Sequence, residues 1–416
     1  MSALQPVRGT RDLLPDDSRR HRHVVETARA IAERYGYLEI AVPILEPTEV
    51  FKRTLGDTSD VVTKEMYTFT DRGGEMVTMR PEATAGIARA LITGGLTQDL
   101  PFKVFTHGPM FRYERPQKGR LRQFHQIDVE LLGVAEPLGD IEVIALGARV
   151  LDAFGVRRAT VLELNTLGDA ESRTAYRGAL VGYLEGFRDK LSEDSRARLG
   201  RNPLRILDSK NEGDRAIVAN APIFTDYLNE ASKNFFATVC GGLDALGIAY
   251  QVNPRLVRGL DYYCHTAFEF TTTELGSQGA VLAGGRYDGL VETMGGPSVP
   301  GIGWAAGIER LAMLMAALGS DAPAPARPIA IVPIGAAAEA KALVLADELR
   351  AAGFAIELGY RGNVGKRMKR ANKLNAGIAV LLGDDELARG AATVRNLDSG
   401  EQTEVPLAAL RDHLGR

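Results

Sequence analysis

The sequence predicts a mixed helix-and-strand protein of two or three domains, with an N-terminal part interrupted by a helical segment and a small alternating α/β domain at the C-terminal end. Three observations carry this. KVFTHGPMFRYER (103–115) and LRQFHQIDVELLG (121–133) read as two strands joined by a Pro/Gly-bearing loop. Residues 169–246 are charge-rich and helical, with few strand signals. SDAPAPARP (320–328) is a Pro/Ala linker, and strands and helices alternate beyond it. A chain of 416 residues, 45% hydrophobic and 25% charged, has ample material for such cores.

The elements follow in order. Val24, Ala28, Ile31 and Tyr35 recur at helical spacing, so 17–35 is a helix with one apolar face. YLEIAVPILEP (37–47) is extended, and Pro43 places it at a sheet edge or a bulge. Residues 60–80 hold strand-like runs around a turn at DRGG (71–74). RPEATAGIARALI (80–92) is a helix with Pro81 and Glu82 in its first turn. Extended segments return at 250–257, 261–273 and 279–283, and GIGWAAG (301–307) is a Gly-rich strand leading into a helix. After the linker come IAIVPI, a helix over 337–352, FAIELGY, a basic helix over 364–375, GIAVLLG, a short acidic turn and helix, and AATVRNL. This alternation predicts a small, mostly parallel α/β domain.

Several classes are excluded. A net charge of -3 gives no global sign of nucleic-acid binding, although a local patch can still hold phosphates. Cys240 and Cys264 are too few for a disulfide framework, and a reducing, cytoplasmic location is expected. Six scattered histidines, without CxxC or HExxH, predict no metal cage. The N-terminus has no apolar signal core, and the most apolar stretch is broken by Glu309 and Arg310, so no membrane span is predicted. There is no P-loop, no G-x-S-x-G and no motif-supported Cys/His pair.

The chemistry concentrates in a few stretches. FRYERPQKGRLRQFHQ (111–126) carries Arg112, Arg115, Lys118, Arg120 and Arg122 against one acid, Glu114. Strand alternation puts Arg112 and Glu114 on one face, and Arg122, Phe124, Gln126, Asp128 and Glu130 on another. Such a face is the floor of a site for a polar or phosphorylated ligand, or an exposed hairpin laced with salt bridges. GIGWAAGIER (301–310) reads as a dinucleotide fingerprint or as a helix start whose N–H groups and Arg310 suit a phosphate. LVRGLDYYCHTAFEF (256–270) and AGGRYDGL (283–290) set arginines, tyrosines and aspartates beside glycines, where a ligand can approach the backbone, or are two ordinary glycine turns.

These stretches together resemble the class II aminoacyl-tRNA synthetases, and within them the histidyl-tRNA synthetase family. RGTRDLLP (8–15) is similar to the family's N-terminal signature, 111–126 to motif 2, GIGWAAGIERL to motif 3, and LVRGLDYY and AGGRYDGL to the two histidine-specific signatures. The resemblance implies an α+β catalytic domain over 1–169 and 251–319, built on a six-stranded antiparallel sheet flanked by helices. It implies a helical insertion over 170–250, a linker at 320–328 and an α/β anticodon-binding domain over 329–416. The first helix and the Pro43 strand resemble motif 1, which implies a homodimer.

The implied activity is histidine–tRNA ligation: ATP-dependent formation of histidyl-adenylate, with Mg²⁺ on the phosphates, then transfer to the 3′-terminal adenosine of tRNA(His). Arg112 and Arg258 would be catalytic. Glu82, Ala83, Thr84, Gln126, Glu130, Arg258, Tyr262, Tyr263 and Tyr287 would bind histidine, with Glu130 and Tyr263 on the imidazole N–H. Arg112, Glu114, Phe124 and Arg310 would bind ATP. The Lys118/Arg120 loop would meet the acceptor end. GKRMKRANK (365–373) would face RNA, or is a solvated basic helix face. The sequence departs from the family at Ala83, more often glycine, and at Cys264, more often asparagine. The alternative readings are a histidine-sensing regulatory subunit of ATP phosphoribosyltransferase, which loses the motif residues and the C-terminal domain, and another class II synthetase.

Overall fold

A computed structural model describes residues 4–56, 61–117, 119–207, 209–257, 262–276 and 279–415. Lys118, Arg258 and Asp261 therefore lie outside the described residues. The chain divides into two compact units, Met1–Ala322 and Pro323–Arg416.

The first unit opens with α1 (Pro15–Arg34), which has proline in its first turn, Asp16 and Asp17 behind it and Arg34 in the last turn. These charges complement the helix dipole. Val24, Val25, Ala28, Ile31 and Ala32 form its buried face. The run predicted as one strand over 37–47 is two short ones, β1 (Leu38–Glu39) and β2 (Leu45–Pro47), in different sheets, with Pro43 in the break. After α2 (Thr48–Leu55), β3 (Tyr67–Thr70) and β4 (Met76–Met79) flank a turn closed by Gly74 N to Asp71 O at 3.2 Å, and pair with β2 in a three-stranded sheet.

Helix α3 (Thr84–Thr93) starts later than the sequence predicts. The reason is local: the Glu82 carboxylate accepts the Ala85 N–H at 3.0 Å and so serves an orphan donor of the helix start from outside the helix. Strands β5 (Phe102–Phe111) and β6 (Gln123–Leu132) form the predicted hairpin, but both stop short of the basic loop, so Arg112 and Glu114 lie beyond the strand end. The sequence reading left out α4 (Pro137–Ala153) and β7 (Val161–Thr166).

Helices α5 (Ala170–Glu185), α6 (Glu193–Leu199), α7 (Glu212–Val218) and α8 (Glu230–Ala245) follow. Each has a polar side chain capping its start: Asp169, Ser192, Asn211 and Asn229. Tyr176, Leu180, Leu184, Leu199, Ile206 and Phe224 make a separate apolar cluster here. Val239 and Leu243 of α8 instead join the main core, and Gly242 sits so close to Ile141 of α4 that a side chain there would overlap it.

Then come β8 (Gln251–Val252), β9 (Cys264–Thr271), β10 (Ala280–Arg286), the short α9 (Leu290–Thr293), β11 (Gly301–Gly307) and α10 (Ile308–Ala317). The main sheet has the order β1-β5-β6-β11-β10-β9-β7-β8. Its six central strands are antiparallel throughout, and the two-residue edge strands β1 and β8 add in parallel. Both neighbours of β11 are antiparallel, which removes the dinucleotide reading of GIGWAAG, since that fingerprint belongs to a parallel βαβ unit.

Period-two alternation gives the sheet two unlike faces. Ile127, Val129 and Leu131 of β6 and Ile302, Trp304 and Ala306 of β11 join the core with α1, α4, α8 and α10. Trp304 Nε1 donates to Val143 O at 3.0 Å. Each fully buried aliphatic side chain contributes about 1.5–3 kcal/mol. The opposite face carries Phe124, Gln126, Asp128 and Glu130.

The second unit comprises β12 (Ile329–Pro333), α11 (Ala336–Ala351), β13 (Ile356–Leu358), α12 (Val364–Lys373), β14 (Ile378–Leu382), α13 (Asp384–Ala388), β15 (Ala391–Asn396), β16 (Gln402–Pro406) and α14 (Leu410–Leu414). Its sheet order is β13-β12-β14-β15-β16. Only β13, β12 and β14 are parallel; β14–β15 and β15–β16 are antiparallel, so the domain is half, not mostly, parallel. The turn after Asn396 returns the chain as a hairpin, and the one-turn-long α13 between β14 and β15 is too short for a parallel crossover, which takes a dozen or more residues.

Candidate active site

A cavity of about 360 Å³ opens on the polar face of the main sheet. Its floor follows from strand register. Gln126, Asp128 and Glu130 of β6 stand opposite Gly307, Ala305 and Gly303 of β11, and Ala305 and Gly303 stand opposite Ala283 and Gly285 of β10. Every large polar side chain on β6 thus faces a small residue, and the missing side-chain volume is the cavity. At Gly303 a Cβ would overlap the Glu130 carboxylate.

One end of the cavity is acidic. Glu130 is buried, accepts from Thr84 Oγ1 at 2.5 Å through one oxygen and from the Tyr287 hydroxyl through the other. Burial pushes its carboxyl up to about 8, against the two hydrogen bonds. Burial also raises Glu82, against the hydrogen bonds from Ala85 and Thr84. Asp128 is raised well above the ordinary carboxyl value, by burial first and then by the charges of Glu130 and Glu82. Glu82 Oε2, Asp128 Oδ2 and Gln126 Oε1 are buried without hydrogen-bond partners among the described residues. Three acceptors left open in one pocket are a receptor for N–H groups. Tyr262, Tyr263 and Tyr287 wall this end, with ring centroids 4.6 Å (Tyr262–Tyr263) and 5.7 Å (Tyr262–Tyr287) apart.

The other end is basic. Arg112 donates through Nε to Pro81 O at 2.9 Å, and its guanidinium lies 5.3 Å from the centre of the Phe124 ring. Arg310, in the first turn of α10, donates to Gly119 O at 3.2 Å and Ala280 O at 2.7 Å. Arg120 pairs with Glu114 at 3.0 Å. All of these line the same cavity.

The structure therefore gathers Glu82, Thr84, Arg112, Glu114, Phe124, Gln126, Glu130, Tyr262, Tyr263, Tyr287 and Arg310. Ala83 is buried behind them and does not line the cavity. Glu130 is held by Tyr287 and Thr84. Arg122 leaves the face expected for it, because the strand begins at Gln123, and its guanidinium stacks 3.7 Å over Tyr113. Cys264 is buried with its thiol pushed up to about 12 by burial, which makes it a packing residue. Sequence reasoning put Asp128 on the floor of the site but gave it no role, and it missed Glu269 as a lining residue. The period-two run Gln126, Asp128, Glu130 was the signal for the first; for the second the sequence offered none.

A cavity with an acidic, tyrosine-walled end and an arginine-lined end suits a ligand that is cationic at one end and phosphorylated at the other. Comparison with known proteins gives the family. Residues 9–311 match the family model "Histidyl-tRNA synthetase", and residues 328–415 match "Anticodon binding domain". A histidine–tRNA ligase of Rhodospirillum rubrum is 64% identical over 416 residues, all of both chains. One of Gluconacetobacter diazotrophicus is 60% identical over 414 residues, covering 100% of this chain and 99% of that one. The solved apo histidyl-tRNA synthetase of S. aureus superimposes over 100% of both chains with TM-score 0.84 and 34% identity. Sheet, cavity and matches together define an aminoacyl-tRNA synthetase. More narrowly, the chain belongs to the histidyl-tRNA synthetase family.

Proposed function

We propose that this chain joins L-histidine to tRNA(His) through a histidyl-adenylate, and that the opposed poles of the single cavity carry the reaction. The histidine carboxylate attacks the α-phosphorus of ATP and pyrophosphate leaves. The 3′-terminal adenosine hydroxyl of the tRNA then attacks the activated carbonyl and AMP leaves. Glu82 and Gln126 take the α-ammonium, and Glu130, fixed by Thr84 and Tyr287, takes the imidazole N–H. Arg112 and Arg310 hold phosphoryl oxygens as charge accumulates on them, and Phe124 offers adenine a stacking surface. Arg258 is assigned the α-phosphate on the sequence pattern alone. Glu114 and Glu269 are the lining carboxylates that fit Mg²⁺, which takes one or two carboxylates beside substrate phosphates and neutralises their charge when bound. No side chain acts as nucleophile, because the substrate carboxylate is one.

A site built to satisfy an imidazole N–H leaves buried acceptors open with any other amino acid, a mode of rejection worth about 10⁴–10⁵. The full-length identity to histidine–tRNA ligases, together with the C-terminal unit, favours this reading over the regulatory-subunit alternative.

The division into a catalytic domain (1–169 and 251–319), an insertion (170–250) and an anticodon-binding domain (329–416) belongs to the same proposal. In α12, Arg367 is buried against Glu339 and Arg370 pairs with Glu357 at 2.6 Å, so the exposed Lys366, Lys369 and Lys373 are the residues left to face RNA. Leu38, Ile44 and Leu45 are large apolar side chains exposed along one stretch, which supports a homodimer through it. No helix among the described residues is long and apolar enough to cross a membrane, and a cytoplasmic location fits the two free cysteines. The deciding experiment is ATP–pyrophosphate exchange across all twenty amino acids. Exchange with histidine alone is expected; exchange with another amino acid at equal efficiency, or with none, overturns the proposal.

A further inference from the structure

The sequence reading found no metal cage, because the six histidines are scattered with no CxxC or HExxH near them. The fold nevertheless brings His21 of α1, His125 of β6 and Glu309 of α10 together, with their ligand atoms within 4.8 Å of one another. His21 and Glu309 are buried, at 8% and 7% exposure. The two imidazole rings meet edge to face, 5.1 Å between centroids.

Glu309 is held in place by His125, whose backbone N lies 3.1 and 3.0 Å from the two carboxylate oxygens and whose Nδ1 lies 2.8 Å from Oε1. His21 Nε2 faces the same oxygen at 4.0 Å, too far for a hydrogen bond, and has no other partner among the described residues. The imidazole nitrogen and the carboxylate oxygen thus face each other across a gap, both beside the His125 ring nitrogen, as ligand atoms around a cation would.

We infer that His21 Nε2, His125 Nδ1 and Glu309 form a binding site for a divalent transition cation of the Zn²⁺ class. Two nitrogens and a carboxylate oxygen are a borderline donor set. Zn–N and Zn–O bonds of ~2.0–2.2 Å at a tetrahedral angle put ligand atoms about 3.4 Å apart, so the His21–Glu309 gap closes by roughly half an ångström. Glu309 can keep one oxygen on the His125 backbone N and give the other to the cation. Coordination through His125 Nδ1 uses the neutral tautomer that carries its proton on Nε2. The fourth position opens on a second cavity, of about 410 Å³, lined by both His21 and Glu309. Its nearby guanidiniums are already matched: Arg11 lies 3.8 Å from Asp17, and Arg20 makes two hydrogen bonds of 2.9 Å to Asp321. Glu309 also lines the active-site cavity beside Arg310, but none of the three ligands is among the proposed histidine and ATP contacts.

The test is titration of the full-length, chelator-treated protein with Zn²⁺ and Co²⁺, followed by calorimetry and visible absorption. One equivalent per chain is expected, with the d–d absorption of tetrahedral Co²⁺. His21→Leu keeps the buried volume, and circular dichroism checks its fold; it is expected to weaken binding by more than about 100-fold, beyond the 10–100-fold typical of outer-shell changes. Absence of saturable binding at micromolar free metal overturns the inference. So does binding of equal strength in His21→Leu, which would place the cation elsewhere.

Discussion

Gly303 lies directly across the sheet from Glu130, and any side chain at Gly303 would occupy the space of the Glu130 carboxylate. The proposed selectivity for histidine thus rests on a pair: a carboxylate on one strand and a missing side chain on the next.

Gly303→Ala should displace Glu130 from Thr84 and Tyr287. Overpacking of this kind costs about 1–3 kcal/mol, so the variant should fold with a lower Tm. Its KM for histidine should rise at least about tenfold, the equivalent of about 1.4 kcal/mol. Steady-state exchange kinetics and a thermal melt check both; an unchanged KM would show that the carboxylate does not select the amino acid.

Glu130 makes a pH prediction. Its folded pKa, about 8, exceeds the ordinary carboxyl value, so the folded state binds this proton more tightly than the unfolded chain. That contribution is fully present below the ordinary carboxyl range and is lost as pH rises through about 8. Glu130→Gln removes the dependence, so the difference in Tm between variant and wild type, both without ligand, should shift in the variant's favour from pH 5 to pH 8.5. Histidine binding that demands the ionised carboxylate should release a proton near pH 7, measurable by calorimetry in buffers of different ionisation enthalpy.

Arg112→Ala and Arg310→Ala should each reduce kcat for exchange by about 10²–10³-fold, the scale for losing one preorganised group at a developing charge. Arg310 has no contact with the acidic end, so histidine binding measured without ATP should stay within a few-fold of wild type in Arg310→Ala, whereas Arg112, bonded to Pro81 O beside Glu82, also bears on that end. Loss of histidine binding in Arg310→Ala would show the two poles to be one.

The boundary at Ala322 gives a truncation test. A chain ending there should fold, because the sheet and its core lie wholly in the first unit. It should retain pyrophosphate exchange and lose most tRNA charging. Full charging by the shortened protein would remove any RNA role from Lys366, Lys369 and Lys373.

At Gly242, an alanine would press on Ile141, where α8 packs against α4. Gly242→Ala should lower the Tm, although alanine is the better helix former by about 1 kcal/mol. A stabilised variant would mean that α8 can slide away from the core.

By itself the sequence determined the local matters. The helical period of Val24, Ala28 and Ile31, the hairpin around the basic loop and the linker near Ala322 could be read from it, because each depends on spacing over a few positions, while the pole residues came from the motifs that resemble the family. The tertiary structure alone decided what depends on distant partners. Helix α3 starts after Glu82 because that carboxylate takes a helix-start N–H. The small residues of GIGWAAG look like a phosphate loop in one dimension and become, through register, the empty wall opposite Gln126, Asp128 and Glu130. His21, His125 and Glu309 share no spacing a reader could recognise, since sheet pairing and helix packing join them across 104 and 184 residues, differences of their sequence numbers (125 − 21 and 309 − 125). Side-chain periodicity is a property of neighbours along the chain, whereas convergence on a site is a property of the closed sheet.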